Sequence, residues 1–90
     1  MGKYSYLKKY NINYCVIVNV TRADGRTEEI EYPFVDKKSA LEGIASNYWF
    51  CVHKTRINGG EITESCLADD HAWLSTDFGD HLEISFIEVE

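Results

Sequence analysis

From Ile12 to Thr21 apolar and polar residues alternate. Ile12, Tyr14, Val16, Val18 and Val20 line one side; Asn11, Asn13, Cys15, Asn19 and Thr21 line the other. That period of two predicts a strand with one buried face. Ile17 interrupts the polar side, so the second face is expected to be covered in part. A second strand is predicted over Thr27–Val35, with Ile30, Tyr32 and Phe34 as its apolar set. The turn between them decides the pairing. A two-residue loop at Asp24-Gly25 sets Val18 against Glu31, whereas a three-residue loop closed by Arg22 and Arg26 pairs Val20 with Glu28, Val18 with Ile30, Val16 with Tyr32 and Tyr14 with Phe34. Only the second joins the apolar faces, because a one-residue slip turns every side chain over. It also puts Gly25 where a left-handed residue is wanted. Pro33 has no amide hydrogen to donate, so the second strand is expected at a sheet edge.

The spacing then becomes helical. Ala40, Leu41, Ile44, Ala45, Tyr48 and Trp49 form one stripe and predict a helix over residues 37–49. Asp36 is the expected N-cap, with Ser39-Ala40-Leu41-Glu42 as an alternative capping-box start. Gly43 interrupts the helix at a cost of about 1 kcal/mol relative to alanine, which points to close packing or to a tolerated defect. Phe50–Ile57 reads as a third strand. Asn58-Gly59 after it is the strongest short hairpin signal in the chain. A two-residue turn there sets Arg56 opposite Glu61, His53 opposite Glu64 and Cys51 opposite Cys66. Residues 72–76 fit helix or strand, Phe78-Gly79-Asp80 is a turn, and Leu82–Val89 is a final strand. Apolar residues on both its sides predict an interior position in the sheet or a bulge near Phe86. The order is β-β-α-β-β, with an unassigned element before the last strand. The class is α+β: a two-layer sandwich, one helix packed on a mainly antiparallel sheet of four to five strands. β-Grasp proteins share this order, as do other small folds.

Length and composition make this one domain over residues 11–90, preceded by a basic, aromatic segment, residues 1–10. Lys3, Tyr4, Tyr6, Lys8, Lys9 and Tyr10 interleave cations with rings, the composition that single-stranded nucleic acid favours. The acidity of the remainder favours a terminus whose tyrosines cover one edge of the core. Apolar runs such as Tyr14–Val18 fall far short of the ~20 residues that span a bilayer. Gly2 is followed by Tyr6 where a myristoylation signal wants Ser or Thr. Three cysteines without a signal peptide imply reduced thiols and a cytoplasmic protein.

Charge changes the picture most. The net charge is −6, yet residues 1–45 sum to +1 and residues 46–90 to −7. From Ile57 onward there are nine carboxylates and no lysine or arginine. Affinity for phosphate backbones comes mainly from positive charge, so direct nucleic-acid binding is not expected. A negative field instead steers basic partners. Glu61, Glu64, Asp69, Asp70, Asp77 and Asp80, with Trp73 as an aromatic anchor, are the candidate partner-binding residues. They are densest between Leu67 and His81.

Two other chemistries are open to these residue types. In the hairpin register above, Cys51, His53, Glu64 and Cys66 share a face, and all four are zinc-ligand types, although the spacing matches no ribbon or finger. The same geometry admits a Cys51–Cys66 disulfide. Asp69-Asp70-His71 and Asp80-His81 read as acid/base pairs or as turn residues. No catalytic signature stands out, and no cofactor is implied. The expectation is a small, acidic, non-enzymatic module that binds a protein with a basic surface, as an inhibitor or adaptor. Small acidic proteins among nuclease inhibitors, anti-CRISPR proteins and immunity proteins are similar in size and charge. The alternatives are a metal-binding or Cys/His-dependent enzyme centred on Cys51, His53 and Cys66, and a subunit of a homo-oligomer.

Overall fold

The first hairpin forms in the expected register. A computed structural model describes residues 4–89, so Gly2, Lys3 and Glu90, read above, lie outside the described residues. Strands β1 (Tyr14–Thr21) and β2 (Thr27–Phe34) pair antiparallel, with Val18 opposite Ile30 and Tyr14 opposite Phe34. The Arg22 amide donates to the Arg26 carbonyl at 2.7 Å, and Gly25 takes φ 88°. The three-residue loop therefore puts its one left-handed residue on glycine, where no Cβ resists it.

Helix α1 (Lys37–Ile57) starts where expected and runs eight residues further. Asp36 caps it, accepting from the Ser39 amide at 2.8 Å. That bond holds the Asp36 carboxyl below its ordinary pKa. The segment read as a third strand is instead the last two turns of the helix. Ala40, Ile44, Tyr48 and Val52 recur every fourth residue and are all buried, so the stripe continues through Val52. Phe50 and Ile57, which a core strand would bury, stand 58% and 68% exposed. Trp49 also falls off the stripe; it is 58% exposed and meets Tyr48 edge-on at 5.0 Å.

Asn58-Gly59 closes this helix and makes no hairpin. Gly59 takes φ 87°, its amide donates to the Arg56 carbonyl at 3.0 Å, and the Gly60 amide reaches back to Thr55 at 2.9 Å. This pair of bonds satisfies carbonyls that the helix end would otherwise leave unpaired. A left-handed glycine serves a hairpin and a helix stop equally well, which is why the dipeptide misleads.

Three strands follow: β3 (Ile62–Leu67), β4 (Ala72–Thr76) and β5 (His81–Glu88). The undecided segment 72–76 is thus a strand. The sheet is antiparallel with order β2-β1-β5-β4-β3, so β2 lies at an edge and β5 in the interior. The β1–β5 register runs unbroken through Phe86; the irregularity lies in β3, between Ile62 and Glu64. The architecture is α+β, one helix on a five-stranded sheet. Between helix and sheet sits the main core, built around Val16, Val18, Ile44, Leu74 and Ile84. A smaller cluster lies on the opposite side. There Tyr4, from the segment entering a 3-10 helix (Ser5–Tyr10), and Leu7 cover Cys15, Ile17, Ile87 and Val89. This is the second covered face that Ile17 announced.

The packing also explains Gly43. A Cβ there would run into the ring of Phe34, so β2 approaches the helix as closely as it does because position 43 has no side chain. Gly43→Ala gains about 1 kcal/mol of helix propensity but overpacks at about 1–3 kcal/mol. A net loss of roughly 1 kcal/mol is expected, read as a lowered midpoint in urea. A raised midpoint would show that Phe34 swings aside freely.

Candidate functional site

The strand that separates the acidic residues also divides them. Asp69 and Asp70 form the β3–β4 turn, closed by the Ala68 amide donating to the His71 carbonyl at 2.9 Å. Asp77 and Asp80 lie in the β4–β5 turn, at the other end of β4. The five residues of β4 set the two groups about 17 Å apart. The interval from Leu67 to His81 is therefore two turns and a strand, with no single acidic loop.

Internal bonds occupy the second group. Asp77 accepts from the Glu61 amide at 2.9 Å and returns its own amide to the Glu61 carbonyl at 3.0 Å, tying the start of β3 to the end of β4. Asp80 accepts from the Ala23 amide at 3.3 Å and pairs with Arg22 at 3.4 Å, stapling the β4–β5 turn to the first hairpin. Arg22 also meets both oxygens of Glu28 at 3.3 and 3.4 Å. At the far end Asp70 accepts from His71 at 2.9 Å, and this bond is the main reason its carboxyl sits below the ordinary value. Asp69, Glu61 and Glu64 are exposed.

The sheet face turned away from α1, covered at its Cys15, Ile17 and Ile87 end by the N-terminal 3-10 helix, assembles a different set. Strand alternation and register place Glu29, Asn19, Glu83, Trp73 and Cys66 in one row across all five strands. Thr27, Thr21, His81, Ser75 and Glu64 form the next row, with Glu31 beside Ile17 on the other flank. The strand positions of this face thus hold four carboxylates and no lysine or arginine. Half-buried Trp73 stands among them, its ring 5.8 Å from that of His81. Ser75 Oγ lies 2.8 Å from His81 Nδ1, and His81 Nε2 lies 3.3 Å from Glu83 Oε1. Glu29 accepts from the Tyr4 hydroxyl at 2.8 Å where the N-terminal segment borders the face. The helical layer is opposite in sign: α1 carries Lys37, Lys38, Lys54 and Arg56 against Glu42.

Reading charge along the chain captured Glu64 and Trp73 but missed Glu29, Glu31 and Glu83 as one group. The available signal was period-two phase: Glu29 and Glu31 alternate with the apolar set of β2, and Glu83 does so in β5.

The Cys/His set is not assembled. Cys51 and His53 belong to α1, with His53 exposed, whereas Glu64 and Cys66 lie on the face of β3 turned away from α1. The sheet stands between Cys51 and Cys66, and all three cysteines are free thiols. Burial pushes the Cys15 and Cys51 thiols above their ordinary values, with nearby Glu31 adding to the effect at Cys15 and Lys54 opposing it at Cys51. Among the described residues no group of three or more His, Cys, Asp or Glu lies close enough to hold a metal ion. No described helix is long and apolar enough to cross a membrane. Compared with protein-family models, curated proteins and solved structures, the chain matches none.

Proposed function

We propose that the protein is a non-enzymatic, cytoplasmic binding module of the inhibitor or adaptor kind, and that the open part of the sheet face turned away from α1 receives a basic protein surface. The observation that supports this reading is the set of Glu29, Glu31, Glu64 and Glu83 on one sheet face, Glu83 and Glu64 beside Trp73 and the other two on the β2 edge, on strand positions without lysine or arginine. A sheet face of this kind offers a rigid platform, since its side chains are set by register. Trp73 supplies apolar contact at low entropic cost, and the carboxylates steer a cationic partner and reject an anionic one. Neither turn is needed for this face. Asp77 and Asp80 act within the fold, and Glu61, Asp69 and Asp70 lie outside the strands, so the face keeps Glu64 and Trp73 of the original group, joined by Glu29, Glu31 and Glu83.

The test is capture of partners from native cells by tagged protein, with Glu64→Lys/Glu83→Lys beside wild type. Exposed substitutions of this kind change stability by only about ±0.5 kcal/mol, so the double variant is expected to fold. Its partner affinity is expected to fall by at least ~10-fold, as charge reversal against a complementary surface predicts. Raising salt from about 0.05 to about 0.3 M is expected to weaken the wild-type complex for the same reason. Glu42→Lys, exposed on α1 in the opposite layer, is expected to bind nearly as wild type. Undiminished capture by the Glu64/Glu83 variant would sink this reading.

A further inference from the structure

On the helical side, the two layers do not meet everywhere. Where the C-terminal half of α1 crosses the β1–β2 corner, a pocket of about 170 Å³ opens between them. Its floor is Val18, Val20, Tyr32 and Leu82, and Cys51 lines it from the helix. Three of the protein's exposed large apolar side chains stand at this one place: Ile30 at 40% exposure, Phe50 at 58% and Phe78 at 48%. A cavity of about 150 Å³ lined by apolar groups is enough to take up benzene, so the space suits one six-membered ring.

The rim adds a charge. Lys54 lines the pocket, and its ammonium stands 5.9 Å from the centre of the Phe50 ring. Among the described residues no carboxylate forms an ion pair with it. The other rim cation, Arg22, is already held by Glu28 and Asp80. Asn47 spends a side-chain N–H on the Gly43 carbonyl at 2.8 Å. The pocket thus combines a largely apolar interior of ring size with one cation that no described carboxylate pairs, while Asp80, the carboxylate of the lining, is engaged by Arg22 and the Ala23 amide.

We propose that this pocket binds a small aromatic carboxylate, with the ring between α1 and the β1–β2 corner and the carboxylate on Lys54. An anion gains there because the ammonium stands beside an apolar surface, where an ion pair is screened less than in open water. The site lies on the opposite layer from the acidic sheet face and does not depend on that reading.

Phenylacetate and its neutral analogue phenylacetamide are the probes, titrated into isotope-labelled full-length protein and followed by amide chemical shifts. Phenylacetate is expected to move the amides of Val20, Cys51, Lys54 and Thr55, with a Kd on the order of 1 mM for a ligand of this size. Phenylacetamide is expected to bind about fivefold more weakly, the loss of one charge-assisted contact. Lys54→Met removes only the ammonium and is expected to make the two probes equal. Phenylacetate is also expected to slow alkylation of Cys51 by iodoacetamide, read by mass spectrometry, while leaving Cys66 on the far side of the sheet unaffected. Absence of shifts around the pocket up to ~10 mM phenylacetate, shifts centred elsewhere, or equal affinity of wild type for the two probes would each overturn the assignment.

Discussion

Replacing Ile44 by alanine is expected to remove about 3–4 kcal/mol of stability. Ile44 has no exposed surface and lies midway along α1 over the main cluster. Truncation there loses the transfer free energy of three carbons and leaves a hole that packed neighbours fill only in part. A small domain holds only about 5–15 kcal/mol in all, so this one residue accounts for a large fraction. At about 4–8 °C per kcal/mol for a chain of this size, thermal unfolding followed by circular dichroism should shift down by roughly 15–25 °C. Ile57→Ala is the matched control. Its side chain is 68% exposed at the end of the same helix, and a change within about ±0.5 kcal/mol is expected. Similar losses for both variants would mean that the helix does not sit on the sheet through its Ala40–Val52 stripe.

His53→Pro is expected to cost about 3 kcal/mol or more although the His53 side chain is exposed. The effect comes from the backbone alone. Proline at 53 lacks the amide hydrogen that an α-helix directs to the carbonyl of residue 49, and its ring crowds that same carbonyl. His53→Ala keeps the hydrogen bond and introduces the best helix former, so it is expected to be neutral or slightly stabilising. The pair of melts separates a continuous helix through residue 53 from a strand ending in a hairpin. Near-equal melting of the two variants would contradict the helix.

The first hairpin was legible down to its register because two independent constraints agreed. Apolar faces had to join, and the loop had to put glycine at its left-handed position; Arg22 and Arg26 satisfy both. The last strand was legible for a related reason, since apolar residues on both its faces demanded cover on both, and α1 lies over Ile84 while the N-terminal segment covers Ile87. Phe50–Ile57 was not legible from local pattern. Its β-branched and aromatic residues suit a strand, while the fourfold spacing from Ala40 to Val52 suits a helix, and tertiary packing decides between them. Once that segment is helical, the face shared by Cys51, His53, Glu64 and Cys66 vanishes. Residues 72–76 were ambiguous through brevity. The acidic set was half legible: charge density along a chain is visible in sequence, but a sheet sorts charge by phase. Glu29 and Glu31, far from Glu83 in sequence, share its face because β1 bridges them.

The place of β5 has a consequence for synthesis on the ribosome. Strands β1 and β4 are both its neighbours and not each other's, so no backbone ladder joins the two hairpins until residues 81–88 have emerged. Until then the nascent chain holds two open strand edges, at β1 and at β4, bridged only by the helix lying across them. β5 is thus the strand that closes the sheet, and a chain halted before His81 would leave the facing edges of β1 and β4 unpaired.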